Sequence, residues 1–514
     1  MKKTYIDTAM ERIAPDLILK GGNVVDVFSG RVIKADVIIK DGIICGVGSY
    51  SGENEQDVSG KYIMPGFIDS HVHIESSMTQ PSEYAKAVMP HGITTVIADP
   101  HEITNVCGED GLEFMLKSAK NIPLDVNLML PSCVPATPFE HTGANLDAKT
   151  TQKLAPKFFG IGEMMNYPGI VSGDDETLGK LCLDIVDGHA PLLSGHELDA
   201  YASAGIKTDH ECSVVEEMTE KISKGMYILL REGTLSLDVA KLIKGVTPYT
   251  LRRCAFCTDD RFVGEIIRDG SIDHCIRKAV SLGLNNIDAI ILATLNACEI
   301  YGMKNKGAIA PSYVADIVVA DDLNLSSISQ VYKNGKLVCE NGKALFECET
   351  VDNSKVTNTV HLPKISADFF KTDVKDKFDA IELIPESIIT KKVTVSYSDS
   401  LSKVCVIERH HNLGTKGIGF VTNYGITNGA IATSIGHDSH NVIVIGDNDS
   451  DMALAVNTLG TSGGIAVCSE GKVIASMTLD IAGLMSVKSA DEVTREHDNL
   501  YSAAKVLNIT DKID

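Results

Sequence analysis

Positive charge is scarce in this 514-residue chain: 47 Lys and Arg stand against 69 Asp and Glu, a formal net charge of −22 at pH 7. Proteins that grip a phosphate backbone need a basic face, so this balance argues against a nucleic-acid partner. It argues equally against an anionic membrane surface. Long apolar runs are missing too. No stretch approaches the roughly 18 uninterrupted apolar residues of a membrane span. The opening MKKTYIDTAMERIAPDLILK has lysines but lacks the apolar segment of a signal peptide. With 16 Pro, 43 Gly and no long biased tract, there is little room for low-complexity linkers. The thirteen cysteines are odd in number and scattered singly, unlike a secreted disulfide framework. These absences leave a soluble, cytoplasmic protein with a small-molecule ligand. Its length exceeds one ordinary domain.

Residues 15 to 62 read as short strands and turns (DLILKGGNVVD, RVIKADVIIKDGIICGVG), rich in β-branched residues with Gly-Gly and Asp-Gly punctuation. The same texture returns near ADIVVADDL and VYKNGKLVCENGK. Two such segments flanking a long middle predict one small sandwich-like β domain, residues 1–62 plus 307–345, split by an insertion. The insertion, 63–306, repeats an apolar strand-like run followed by a helical spacer: IMPGFIDSHVHI, GITTVIADPHE, DVNLMLPSC, FFGIGEMMN, PLLSGHE, GIKTDHE, MYILLRE and CAFCTDD. Near-continuous apolar strands alternating with helices predict a parallel sheet covered on both faces. Eight units fit a (β/α)₈ barrel of the α/β class. After a polar linker, the segments KKVTVSYSD, KVCVIER, GIGFVTN, NVIVIGDND and GGIAVCSEGKVIASM and a helix-like ADEVTREHDNLYSAAKVLN predict an additional α+β domain over 365–514.

Barrel enzymes place their chemistry at the C-terminal ends of the strands. Here those ends carry His71 and His73, then Asp99, His101 and Glu102, then Glu163, His196, His210 with Glu211, Arg231 with Glu232, and Asp259 with Asp260. A packed core alone does not need so many ionisable residues there. Residues i and i+2 of an extended segment face one way, so both imidazoles of His71-Val72-His73 can reach one metal. Four histidines (71, 73, 196, 210) and two carboxylates (Glu163, Asp259) converging on one mouth predict a nitrogen/oxygen site large enough for two divalent ions. Such ligands suit Zn²⁺, Fe²⁺ or Mn²⁺. Asp99, His101 and Glu102 either contact substrate or metal or form a turn set by Pro100; Arg231 either contacts substrate or pairs with Glu232 at the rim.

The strings MPGFIDSHVHIESS, SGHELDAYASAGIKTDHE and CTDDR resemble the amidohydrolase superfamily and, within it, the bacterial adenine deaminases, over nearly the whole chain. Many superfamily members carry a carbamylated lysine on the fourth strand. The matching segment here, GIGEMMN, has none, and the resemblance assigns Glu163 as the bridging ligand. It implies Mn²⁺ with Fe²⁺ as runner-up, a homodimer, and hydrolysis of adenine to hypoxanthine and ammonia in purine salvage. Hydroxide generated at the metal site would attack C6. Asp259 would relay the water proton to the leaving ammonia, and Glu211 is the first candidate for N1, with an orienting role as its alternative. The competing readings are hydrolysis of another cyclic amidine or amide and a non-catalytic scaffold.

Three other motifs carry less. Cys254-Ala255-Phe256-Cys257 with His73-Ile74-Glu75 superficially matches a zinc nucleobase deaminase signature, but Arg253 replaces the required proline and the cysteines face opposite sides of a strand, so they read as buried thiols. The run Gly446 to Asp451 lacks an upstream Asp-x-Asp-x-Thr and reads as an acidic turn and helix cap. His437, Asp438 and His440 sit in a loop before a strand, where a second metal site, a lid over the barrel mouth and a plain turn are all open.

Overall fold

The computed structural model describes residues 2–373, 376–384, 390–396 and 401–510. Eight parallel strands form the central barrel, five in one hydrogen-bonded run and three in another. They are β1 (Phe67–Val72), β2 (Ile93–Ala98), β3 (Asp125–Leu130), β4 (Gly160–Met164), β5 (Val186–Gly188), β6 (Thr208–Asp209), β7 (Tyr227–Arg231) and β8 (Cys254–Cys257). The two runs join at both seams. Gly188 N–H donates to Thr208 Oγ1 (3.1 Å), linking β5 to β6. Past the end of β8, Asp259 N–H donates to the His71 carbonyl (2.9 Å) and His73 N–H to the Asp259 carbonyl (3.2 Å). The β5–β6 seam is narrow: a Cβ on Gly188 would lie 2.2 Å from the Thr208 carbonyl oxygen, so the strands meet only because residue 188 has no side chain.

Strands β1, β2 and β8 are buried along their whole length, as their apolar composition requires. Some of the polar residues buried within them tie strands together. Asp69 of β1 accepts Thr258 N–H (3.0 Å) and Thr258 Oγ1–H (2.5 Å), clamping the first strand to the segment after the last. Helix Ile272–Ser281 is pinned by Asp273, whose carboxylate takes Arg277 Nη1 (2.6 Å), His91 Nδ1 (3.2 Å) and Ser271 N–H (2.7 Å). Burial would raise this carboxyl's pKa, but the hydrogen bonds and charges of His91 and Arg277 outweigh it and hold the group at about 2. A depressed carboxyl contributes stability above its unfolded value, 3.8 here, and loses it as pH falls toward 2. Asp273→Asn is therefore expected to cost on the order of 2 kcal/mol at pH 6, the gap to the parent closing between about pH 4 and pH 2 in thermal unfolding.

The two β segments flanking the barrel sequence build one nine-stranded sheet. Strand Ile317–Ala320 pairs antiparallel with Tyr62–Pro65 (Ile317 opposite Pro65, Val318 opposite Met64), splicing the late segment onto the early one. The third region is an eight-stranded sheet carrying helix Asp449–Thr458. Asn448 caps that helix by accepting Asp451 N–H (2.8 Å), matching the cap expected from the acidic turn. Of the expected strand KKVTVSYSD, Lys391–Ser396 is formed and residues 397–400 lie outside the described residues. The closing helix, Ala490–Lys505, starts in a Ser489/Glu492 capping box. The segment before it docks on the barrel through Ser486 N–H to the Met78 carbonyl (2.9 Å).

Candidate active site and its family

At the C-terminal end of the barrel, five histidines and two carboxylates close on one point. His71 and His73 leave β1 with their Nε2 atoms 3.2 Å apart. His73 Nδ1 lies 2.9 Å from the Asp99 carbonyl, an acceptor, so Nδ1 carries a proton and Nε2 faces the cluster. Asp259 Oδ1 stands 3.1 Å from His73 Nε2 and 3.6 Å from His71 Nε2. Glu163, at the end of β4, divides its two oxygens. Oε1 faces His73 Nε2 and His101 Nδ1, each at 3.3 Å; Oε2 faces His189 Nδ1 at 2.6 Å and His210 Nε2 at 3.3 Å. One carboxylate thus spans two nests of imidazoles.

The supporting groups are equally specific. Glu163 N–H donates to Asp99 Oδ2 (2.9 Å), and a Cβ on Gly162 would lie 2.1 Å from that same oxygen. Asp99 thereby holds Glu163 through its side chain and His73 through its carbonyl. His101 and Glu102 open helix His101–Lys120. Glu102 Oε1 accepts Ser76 Oγ–H at 2.6 Å. The Asp209 carboxylate accepts Ala190 N–H and Glu211 N–H, each at 2.9 Å, fixing the loops that carry His189 and His210. Arg231 is buried at the end of β7. Its Nη1 binds Glu211 and Asp259 Oδ2 (2.8 Å), and its Nε binds Asp238 (3.2 Å). Glu232 turns away to Lys278, so Arg231 and Glu232 form no rim pair.

Burial alone lowers a histidine pKa, yet the carboxylates Asp259 and Glu163 push His73 well up, and Glu163 with Glu211 raises His189 to about 9. Burial and the neighbouring His73 drive His101 the other way, well below its usual value. Burial and Glu163 push the Asp99 carboxyl well up, whereas the surrounding histidines overcome burial to hold Glu163 well down. Such opposed shifts within one cluster are a pattern that functional sites share.

The donors fit divalent metal. His71, His73 and Glu163 bring ligand atoms within reach of one ion, as do His71, His210 and Asp259, and Glu163, His189 and His210. His71 Nδ1, His210 Nδ1, both His101 ring nitrogens and Asp99 Oδ1 are buried without a hydrogen-bond partner among the described residues. A buried set of imidazoles and carboxylates left partly unpaired is costly unless a cation completes it.

One expected ligand is elsewhere. His196 lies in the first turn of helix Gly195–Ser203 with its side chain fully exposed and an ion pair to Asp199 at 3.8 Å. The apolar run Pro-Leu-Leu looks like a strand but is a surface turn: Leu192 is exposed and has φ 60°. The true fifth strand is only Val186–Gly188, too short to announce itself as an apolar run. The residue that follows it, His189, takes the place expected of His196. The signal was present in Ile-Val-Asp-Gly-His, a strand stub running into a glycine and a histidine. His189→Ala is therefore expected to lower bound metal and activity by more than tenfold while His196→Ala leaves both within about twofold; paired metal analysis and kinetics check it. His437 and Asp438 reach the mouth from the third domain: His437 Nε2 is 3.9 Å from Glu102 Oε1 and Asp438 Oδ1 is 4.0 Å from His101 Nε2. Cys254 and Cys257 are buried free thiols in β8, as expected, and all thirteen cysteines are free.

The amidohydrolase family profile matches residues 62–338, and the adenine deaminase C-terminal domain matches residues 383–513. Among curated proteins, the adenine deaminase of Clostridium acetobutylicum is 46% identical, the alignment covering 98% of this chain and 91% of that protein. That of Nitratidesulfovibrio vulgaris is 44% identical over 97% of this chain and 90% of its own length. Adenine deaminase 2 of Desulfotalea psychrophila is 44% identical over 98% and 91%. Family membership implies a divalent-metal hydrolase acting on a C–N bond, which the donor set fits. No helix among the described residues is long and apolar enough to cross a membrane. With a matching barrel, a matching third domain and a relative aligned over 98% of this chain, this chain belongs to the adenine deaminase family of the amidohydrolases.

Proposed function

We propose that this protein hydrolyses adenine to hypoxanthine and ammonia at the cluster around Glu163, using two divalent cations, with Mn²⁺ the preferred ion. The observation that carries this reading is Glu163 itself: its oxygens face two separate imidazole sets, as a ligand shared between two ions must. His71, His73 and Asp259 would complete one side, and His189 and His210 the other. Divalent cations held there supply Lewis acidity and so make hydroxide available near neutral pH.

The chain's own groups then manage position and protons. Water adds at C6 of adenine, one of its protons goes to the departing nitrogen and the other ends on N1, and the C6–N6 bond breaks to release ammonia. Asp259 takes the water proton and delivers it to the departing nitrogen. Its Oδ1 faces the cluster while Oδ2 is held by Arg231, so the carboxylate cannot swing away. Glu211 shares that guanidinium and serves N1. Asp99 positions Glu163 and His73 without touching the reacting atoms. Homodimer assembly and a place in purine salvage belong to the same reading.

The test is an adenine-to-hypoxanthine assay coupled to elemental analysis, on protein purified with and without added manganese. Ammonia release that rises with metal content toward two ions per chain supports the proposal. No ammonia from adenine by fully metallated protein, with turnover of a hydantoin or dihydropyrimidine instead, overturns it.

A further inference from the structure

The mouth of the barrel is not built by the barrel alone. The segment Gly436–Asn441, between strands Gly429–Thr433 and Val442–Gly446 of the third domain, lies against it and is fastened from both sides. Within the third domain, His440 N–H donates to the Gly436 carbonyl (2.6 Å), and His410 Nε2 lies 2.8 Å from the Ser439 carbonyl. Arg409, fully buried, donates Nε–H to the His440 carbonyl, Nη2 to the Ala482 carbonyl (2.9 Å) and Nη1 to Thr359 Oγ1 (3.0 Å). On the barrel side, Asn441 Nδ2 donates to the His141 carbonyl (2.8 Å) and His411 Nε2 lies 2.9 Å from the Thr142 carbonyl, both in the segment after β3. A loop held at this many points is a fixed wall of the site.

That wall presents one carboxylate inward. Asp438 is mostly buried, with its side chain 27% exposed. Its nearest basic side chains, the imidazoles of His101 and His437, are both 4.0 Å away, too far for hydrogen bonds. Its position is set by His101, whose Nδ1 is 3.3 Å from Glu163 and whose Nε2 is 4.0 Å from Asp438. Asp438 therefore stands one imidazole ring beyond the cluster, where the charge of His437 acts on it first and those of Glu163, His189 and Asp260 after it. A carboxylate kept in a fixed wall, only partly exposed and hydrogen-bonded to none of the described residues, is poised for a donor that arrives with a ligand.

Resting on the deaminase reading, we propose that Asp438 is a substrate-contacting specificity residue: its carboxylate accepts the imidazole-ring N–H of adenine, so that the third domain selects the free base. The chemistry follows from orientation. Placing C6 at the cluster puts N1 and the amino group beside Asp259 and Glu211 and turns the five-membered ring outward. That ring carries adenine's one ring N–H. A carboxylate accepts it in a charge-assisted hydrogen bond. An analogue alkylated at N9 lacks the donor and leaves the carboxylate desolvated and unpaired, the situation in which polar sites discriminate most strongly.

The experiment measures kcat and KM for adenine and 9-methyladenine, with 9-methyladenine also measured as an inhibitor, together with metal content and thermal unfolding, for the parent, D438A and D438N. In D438A, kcat/KM for adenine is expected to fall by about 100-fold, mainly through KM, with metal content unchanged. The preference for adenine over 9-methyladenine is expected to shrink by at least about tenfold. D438N, isosteric and still able to accept weakly, should fall between; it carries the same ratio test if D438A unfolds early. An unchanged adenine KM, an unchanged preference, or a loss of metal parallel to the loss of activity overturns the assignment. If the metallated parent itself releases no ammonia from adenine, the deaminase reading falls; if the parent works and both variants match it, only the role of Asp438 falls.

Discussion

Asp259→Asn protein is expected to keep its metal and lose turnover by on the order of 10²–10⁴-fold, the range for removing a positioned general base. The amide conserves shape and can still offer Oδ1 toward His71 and His73, which stand 3.6 and 3.1 Å away in the parent. It cannot take a proton and return it. The loss should therefore fall on kcat, with KM for adenine nearly unchanged. In the parent, the His73 contact and the charges of Arg231 and His210 overcome burial and keep the Asp259 carboxyl well below its usual range, in the proton-accepting form at neutral pH. Elemental analysis and steady-state kinetics on one preparation decide the matter; near-parental kcat removes the proton-relay role, and loss of metal in step with activity recasts Asp259 as a ligand alone.

Glu163→Gln is expected to be more severe, cutting bound metal to at most one ion per chain and activity by more than about 10³-fold. Glutamine fills the same space, so packing against Asp99 and the backbone bond from residue 163 survive. What disappears is a negative charge shared by His73, His101, His189 and His210. An amide offers one oxygen and directs its NH₂ at the other imidazole set, where it repels a cation. Titration of apo-protein with Mn²⁺ should show two binding steps in the parent and one weakened step in the variant. Two full-affinity sites in E163Q would mean that residue 163 lies beside the ions and does not join them.

The barrel was legible because its strands are nearly all apolar and end in ionisable residues, a pattern that neither a helix bundle nor a sandwich produces. His71, His73, Glu163, His210 and Asp259 were readable for that reason, and the structure brings them together. His189 was not. A three-residue strand has no periodicity to read, and the neighbouring Pro-Leu-Leu imitates one. Arg231 was readable as a residue at a strand end but not in its geometry: a guanidinium shared by Glu211, Asp259 and Asp238 depends on side chains from three separate elements. Asp438 lay furthest from reach. It is more than 300 positions from His101 in the chain, and only tertiary packing sets the two side by side.

The splice between Tyr62–Pro65 and Ile317–Ala320 also dictates an order of events on the ribosome. When residue 65 emerges, its strand has no antiparallel partner along that edge, and none exists until some 250 further residues have been made. The buried Ile63 and Met64 must wait through synthesis of the entire barrel for cover from that edge. Contacts of such long sequence separation form slowly and leave apolar strand edges open in the meantime. The small sheet that brackets this enzyme's barrel thus stays open along that edge until residue 320 has been made.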